Sequence, residues 1–119
     1  MPHKCFENHN SLFEYDYQNQ LLYKEALTNY TEALEISKRI NVLSEIAESY
    51  NSIADIQLIL HNDEIALGHY EKALKINKEI NSPSGKCLSC LGLARVFVFK
   101  KQYKKALDVI FIAKDIAVE

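Results

Sequence analysis

Cys87 and Cys90 form a Cys-x-x-Cys, the spacing of a redox pair or of half a zinc site. A redox pair sits at a helix N-terminus, where the thiolate is stabilised. These two lie near an expected helix start, but Cys90 occupies a bulky packing slot of the pattern described below and Cys87 a small one. A zinc site needs about four ligands, and only His3, Cys5 and His9 in the aperiodic N-terminal stretch are left to complete it. The two cysteines therefore read as buried packing residues, and no metal or cofactor is expected. His61 falls in a turn and His69 on an outer helix face, neither with a nucleophile or carboxylate at a motif spacing. There is no glycine-rich phosphate loop, no His-Glu-x-x-His and no Gly-x-Ser-x-Gly. Carboxylates are spread along helix faces instead of paired. The expectation is a protein that is not an enzyme.

Composition narrows the class. The chain has 119 residues, 48% hydrophobic and 25% charged, with three Gly and two Pro. That is too apolar for disorder and too poor in turn residues for an all-β domain, so helices with short connections are expected. No run approaches the ~18 apolar residues of a membrane span, and MPHKCFENHN lacks the apolar core of a signal peptide. With an odd count of three cysteines, this places the chain in the cytoplasm as an expectation. Net charge is −2, unevenly divided. Residues 1–64 carry four Lys and Arg against eleven Asp and Glu, and residues 65–119 carry ten against five. The opposed halves permit head-to-tail association. The cluster Lys100, Lys101, Lys104 and Lys105 reads as a solvated corner, so neither nucleic acid nor membrane is an expected partner.

The element that organises the chain is NYTEALEISKRIN, ending at Asn41, which returns forty residues later as HYEKALKINKEIN, ending at Asn81. Tyr30/Tyr70, Ala33/Ala73, Leu34/Leu74, Ile36/Ile76, Lys38/Lys78, Ile40/Ile80 and Asn41/Asn81 are identical, and Ile110, Ala113 and Ile116 continue the offsets in a weaker third copy. Self-similarity at this period marks a stack of repeated units. In order, Ser11-Leu12-Phe13-Glu14 reads as a capping box opening a short helix to about Gln20. A turn near Leu21 leads to a helix from about Tyr23 to Ile40, with Ala26, Tyr30, Ala33, Leu34, Ile36 or Ser37, and Ile40 on its apolar stripe. Asn41 stops it and caps a helix from Val42 to about Leu60. Asn62 caps the next, Glu64 to about Ile80, and Ser84 the one to about Phe99. Lys100-Lys101-Gln102 turns into a last helix from Tyr103. Six antiparallel helices in three pairs follow: an all-α solenoid with repeats at about 10–41, 42–81 and 82–119, preceded by a flexible 1–9.

The pattern resembles the tetratricopeptide repeat. Its order of a bulky residue, Leu-Gly and Tyr, then Ala, an aromatic and Ala, is followed in three copies: Asn10, Phe13-Glu14, Tyr17, Tyr23, Ala26, Tyr30, Ala33; then Tyr50, Ile53-Ala54, Gln57, Asp63, Ala66, Tyr70, Ala73; then Cys90, Leu93-Ala94, Phe97, Tyr103, Ala106, Ile110, Ala113. The first copy departs from it, with Asn10 in place of the bulky lead residue and Glu14 where a small residue packs, so an irregular first pair is expected. The forty-residue period, with Lys38 and Lys78 where the family ends in Pro, looks like the longer subclass of kinesin light chains, spindle-orientation adaptors and bacterial signalling proteins.

The resemblance implies a concave groove lined by the first helix of each pair, in which a protein or peptide ligand lies. Its groove positions fall on Ser11, Tyr15, Gln18 and Asn19; on Glu48, Asn51, Asp55 and Leu58; and on Leu88, Leu91, Arg95 and Phe99. An Asn such as Asn51 can pair its amide with a peptide backbone of any sequence, and Arg95 reads as an internal partner of Glu48 or Asp55. The family's two-carboxylate clamp for chaperone tails would need charge at Ser11, Tyr15, Ser52, Leu88 and Gly92, which have none. The third pair is apolar nearly all round, which implies a cover. Val109, Phe111, Ile112, Ile116 and Val118 are the expected self-association residues, burying against a second copy or the rest of a longer chain. The function expected is a protein-interaction scaffold. The alternative is a sensory segment of a larger signalling protein, of the histidine kinase, diguanylate cyclase or peptide-sensing regulator type.

Overall fold

The computed structural model describes the backbone of residues 10–118 and the side chains of residues 19–116. The stretch 1–9 and the side chains of Ser11, Tyr15, Gln18 and Val118 lie outside these. The described residues form five α-helices and no strand: α1 (Asn10–Ile40), α2 (Leu43–Ile59), α3 (Asp63–Glu79), α4 (Pro83–Phe99) and α5 (Tyr103–Val118). The all-α expectation holds. The count of six does not.

The reason is visible in the turns. The chain reverses at Asn41, His61, Asn81 and Lys101, twenty residues apart, with φ of 57°, 65°, 52° and 61°. Each turn closes by the same two backbone bonds. At the first, Asn41 N donates to the Lys38 carbonyl (3.2 Å) and Val42 N to the Ser37 carbonyl (3.1 Å). His61 and Asn62, Asn81 and Ser82, and Lys101 and Gln102 repeat the pair at their own turns. This left-handed ending satisfies carbonyls that a helix end leaves open. Stepping back twenty residues puts the next reversal at Leu21. Leucine has no short polar group to support a left-handed conformation, and Leu21-Leu22-Tyr23-Lys24 contains no helix breaker. The helix therefore runs straight through, and the expected break near Leu21 is corrected to one continuous α1.

Three helix starts are also corrected. Asn41 ends α1 instead of capping α2, whose N-cap is Val42 with no side-chain bond. Asn62 precedes α3 but donates its amide to Gln57 Oε1 (2.7 Å) and caps nothing. Ser82, not Ser84, caps α4: its hydroxyl accepts from Gly85 N at 3.1 Å. Pro83 follows at the first helical position, where its missing N–H is not needed.

Consecutive helices pack on each other, and α2 also touches α4, whereas among the described residues α1, α3 and α5 do not touch one another. The result is a two-layered staircase, α2 and α4 on one side and the odd-numbered helices on the other. Its radius of gyration is 16.7 Å, against roughly 13–14 Å for a compact domain of this length. Alanines at 54, 66 and 73 are fully buried and let the backbones approach. Tyr70 fills the space between α2 and α4 and is only 1% exposed. A Cβ at Gly92 would lie 2.2 Å from its ring, so α4 reaches Tyr70 only because residue 92 has no side chain.

Burial separates the three copies. In α3, Ala66, Tyr70 and Ala73 are all buried, because α2 covers one side and α4 the other. The matching α1 residues have only α2: Tyr30 is 39% exposed and Ala33 is exposed. In α5, with only α4, Ala106 and Ala113 are buried but Ile110 is exposed.

Candidate functional site

The trough lies where α2 meets α4. Glu48, Asn51 and Asp55 of α2 and Leu88 and Arg95 of α4 line one cavity of about 360 Å³. Ser44, Ser52, Ser82 and Ser84 add hydroxyls around it, and Tyr70 and Asn77 of the helix beneath, Ile80 just past its end and Gly85 of α4 complete it. Leu91 and Phe99 line an adjoining recess of about 270 Å³ with Ala94, Val98 and Ile110, and Arg95 borders both. The trough is thus polar towards the start of α2 and apolar towards the end of α4.

Two polar networks set its lining. Asn77 Nδ2 donates to Ser89 Oγ (3.3 Å), and Ser89 Oγ donates to Asn51 Oδ1 (3.0 Å), joining α3, α4 and α2. Ser89 and Asn77 are buried, and a buried polar group must find such partners. With its carbonyl oxygen engaged, Asn51 keeps its Nδ2 as a donor without a protein partner among the described residues. Gly85 makes room for this network, since a Cβ there would meet Asn77 Oδ1 at 2.3 Å. In the second network the Tyr70 hydroxyl donates to Asp55 Oδ1, and Arg95 Nη1 stands 3.9 Å from the same oxygen. Burial first, and then the Asp55 carboxylate, hold the Tyr70 hydroxyl above its ordinary pKa. Arg95 and Asp55 are both half open to solvent, where an ion pair contributes little. Arg95 is therefore not locked to Asp55 and is free to turn towards a ligand.

The remaining groove positions separate. Leu58 is 4% exposed and packs in the core with Ala54, Ala66 and Tyr70, so it does not face the trough. The residue forty positions before Phe99 is Ile59, which is exposed. Asn19 lies in another recess with Gln20, Tyr23 and His61, away from Asn51. Sequence reasoning missed Tyr70 and Asn77 as parts of the site. The signal available was a polar residue, Ser37 or Asn77, inside an otherwise apolar stripe. Ser37 and Asn77 are both buried.

Elsewhere, Cys90 is buried and its thiol pKa is pushed up, chiefly by that burial. Cys87 is half-buried, its Sγ 3.5 Å from the Ala113 carbonyl. In the basic corner, Lys100 pairs with Glu64 and Lys105 lies 5.8 Å from the centre of the Phe97 ring. Of the expected self-association residues, Phe111 and Ile112 are exposed and Ile116 is half-buried, whereas Val109 packs inwards against the core.

Antiparallel helices stacked in two layers, with a trough along one layer and a forty-residue sequence period, define a helical-repeat solenoid. The family model for the tetratricopeptide repeat matches residues 15–79, and the chain belongs to that family. Repeats of this kind generally mediate protein–protein interactions and are typically not enzymes. No curated protein and no solved structure matches the chain. Among the described residues no helix is long and apolar enough to cross a membrane.

Proposed function

We propose that the chain is an interaction scaffold whose α2–α4 trough holds an extended peptide or a helix of a partner protein. The observation that carries this reading is the convergence of Glu48, Asn51, Asp55, Leu88 and Arg95 on one cavity, continuous at Arg95 with the apolar recess under Leu91 and Phe99. The Asn51 amide supplies a donor for a peptide carbonyl, which needs no particular ligand sequence. Arg95 supplies a cation, and the recess takes an apolar side chain. The preferred ligand therefore carries an acidic residue next to a bulky apolar one. Phe111 and Ile112 of α5 support a second contact, against another copy or the rest of a longer signalling chain.

Panning a random peptide library on the immobilised protein tests the trough. Peptides of that character should be enriched by the parent and lost from Asn51→Ala with Arg95→Ala, at unchanged helicity by circular dichroism. Recovery of the same peptides by parent and double variant would place binding elsewhere.

A further inference from the structure

We infer that two copies of this chain exchange their N-terminal helical segments, residues 10–20, across a two-fold axis at Leu22. Three observations converge on it. First, α1 continues straight through Leu21, where the twenty-residue spacing of Asn41, His61, Asn81 and Lys101 calls for a reversal. The segment before Leu21 is thereby carried away from the face of α1 that it would cover if folded back. Second, that face is left open. Tyr70 and Ala73 are buried where α3 has a helix on each side, whereas Tyr30 and Ala33 are exposed. Third, Leu21 and Leu22 are themselves exposed, Leu22 by 60%, in the middle of a helix.

The chain contains its own template for the missing contact. Asp55 of α2 bonds Tyr70 of α3, and Tyr50 shares a buried cluster with Ala73. One forty-residue period earlier these positions are Tyr15 with Tyr30 and Asn10 with Ala33, so the spacing of the contact recurs though the residue types at 15 and 10 differ. Within one chain the pairing requires a turn at Leu21. Between two straight α1 helices laid antiparallel, the same pairing forms without any turn, because a helical hairpin is itself antiparallel. The midpoints of the two pairs fall half a residue to either side of Leu22, so each Leu22 meets its own copy on the axis. The exchange covers the open face of both copies and the exposed leucines together. It is isologous and closes at two chains, so it gives a dimer and not a fibre.

Mass in solution across a dilution series, read by light scattering behind gel filtration, tests the exchange. The full chain should show twice its 13.7 kDa, falling towards one chain only on dilution. Leu21→Asn with Leu22→Gly supplies the missing turn residues and should give a monomer of unchanged helicity. Leu22→Cys, in a Cys5→Ser and Cys87→Ser background, should be captured as a covalent dimer by a short bismaleimide, and the background alone should not. This capture reads the axis even if the turn variant fails to fold. A parent that is monomeric throughout would overturn the inference, as would a Leu22→Cys chain that is not captured. So would a dimer that survives the turn variant but is lost in Phe111→Glu with Ile112→Glu, which would assign association to α5.

Discussion

Replacing Tyr70 by alanine should lower the unfolding free energy by about 3–5 kcal/mol, whereas Tyr30→Ala should lower it by about 1 kcal/mol or less. The two tyrosines occupy the same place in nearly identical segments, so sequence alone gives no reason for a difference. The structure gives one. Tyr70 is wedged between Asp55 on α2 and Gly92 on α4 and is 1% exposed, while Tyr30 opens onto a recess beside α2 and is 39% exposed. Removing a ring from a sealed site loses its transfer free energy and leaves a void. Removing one from a half-open site loses part of the first and little of the second. Tyr70→Phe separates the hydroxyl from the ring. It leaves Asp55 its contacts with solvent and Arg95, so a loss of only about 0.5–1.5 kcal/mol is expected. Urea unfolding followed by circular dichroism at 222 nm reads all three, at a dilution where the chain is a single copy and the Tyr30 face of α1 stays open. Equal losses at Tyr70 and Tyr30 would mean that the copies are covered equally, contrary to the staircase described here.

The glycines give the second large effect, with opposite signs at two positions. Gly92→Ala should cost about 1–2 kcal/mol net. A Cβ 2.2 Å from the Tyr70 ring forces one helix away from the other, at about 1–3 kcal/mol or more. The better helix propensity of alanine, about 1 kcal/mol, recovers only part of that. The ring cannot swing aside, because it fills the gap between α2 and α4. Gly68 lies in α3 with nothing within 4 Å of the place its Cβ would take. Gly68→Ala should therefore stabilise the chain by about 0.5–1 kcal/mol. The same unfolding measurement decides both. A Gly92→Ala variant as stable as the parent would mean that α4 stands farther from Tyr70 than described.

Much of the fold was legible because the repeat writes the same instruction several times. Asn41 and Asn81 sit at identical offsets, and His61 and Lys101 fall midway along the same twenty-residue spacing. Four reversals therefore followed from periodicity and turn chemistry. The fifth was expected from periodicity alone, and there Leu21 lacks the short polar side chain of Asn41 and Asn81 and stands in a run with no Gly or Pro to stop the helix. Where the two rules disagreed, local backbone chemistry won. The α2 and α4 stripes were legible for the same reason, and so Glu48, Asn51, Asp55, Leu88 and Arg95 reach one cavity. Leu58 was misplaced by one position: along α2, Ala54 and Leu58 share the buried face, and Ile59 is the residue that matches Phe99. The hydroxyl of Tyr70 and the chain from Asn77 through Ser89 to Asn51 were not legible. Ser89 and Asn51 join α4 to α2, which are not neighbours in sequence, and the Tyr70–Asp55 and Asn77–Ser89 bonds cross between consecutive helices at spacings no single stripe reveals.

That reversals decide which repeat faces are covered is tested most directly by backbone NMR shifts of the uniformly labelled chain. The Cα shifts should be helical without interruption through Leu21 and Leu22, with left-handed breaks at Asn41, His61, Asn81 and Lys101. A break at Leu21, or helical shifts continuing through any of those four, would contradict the account.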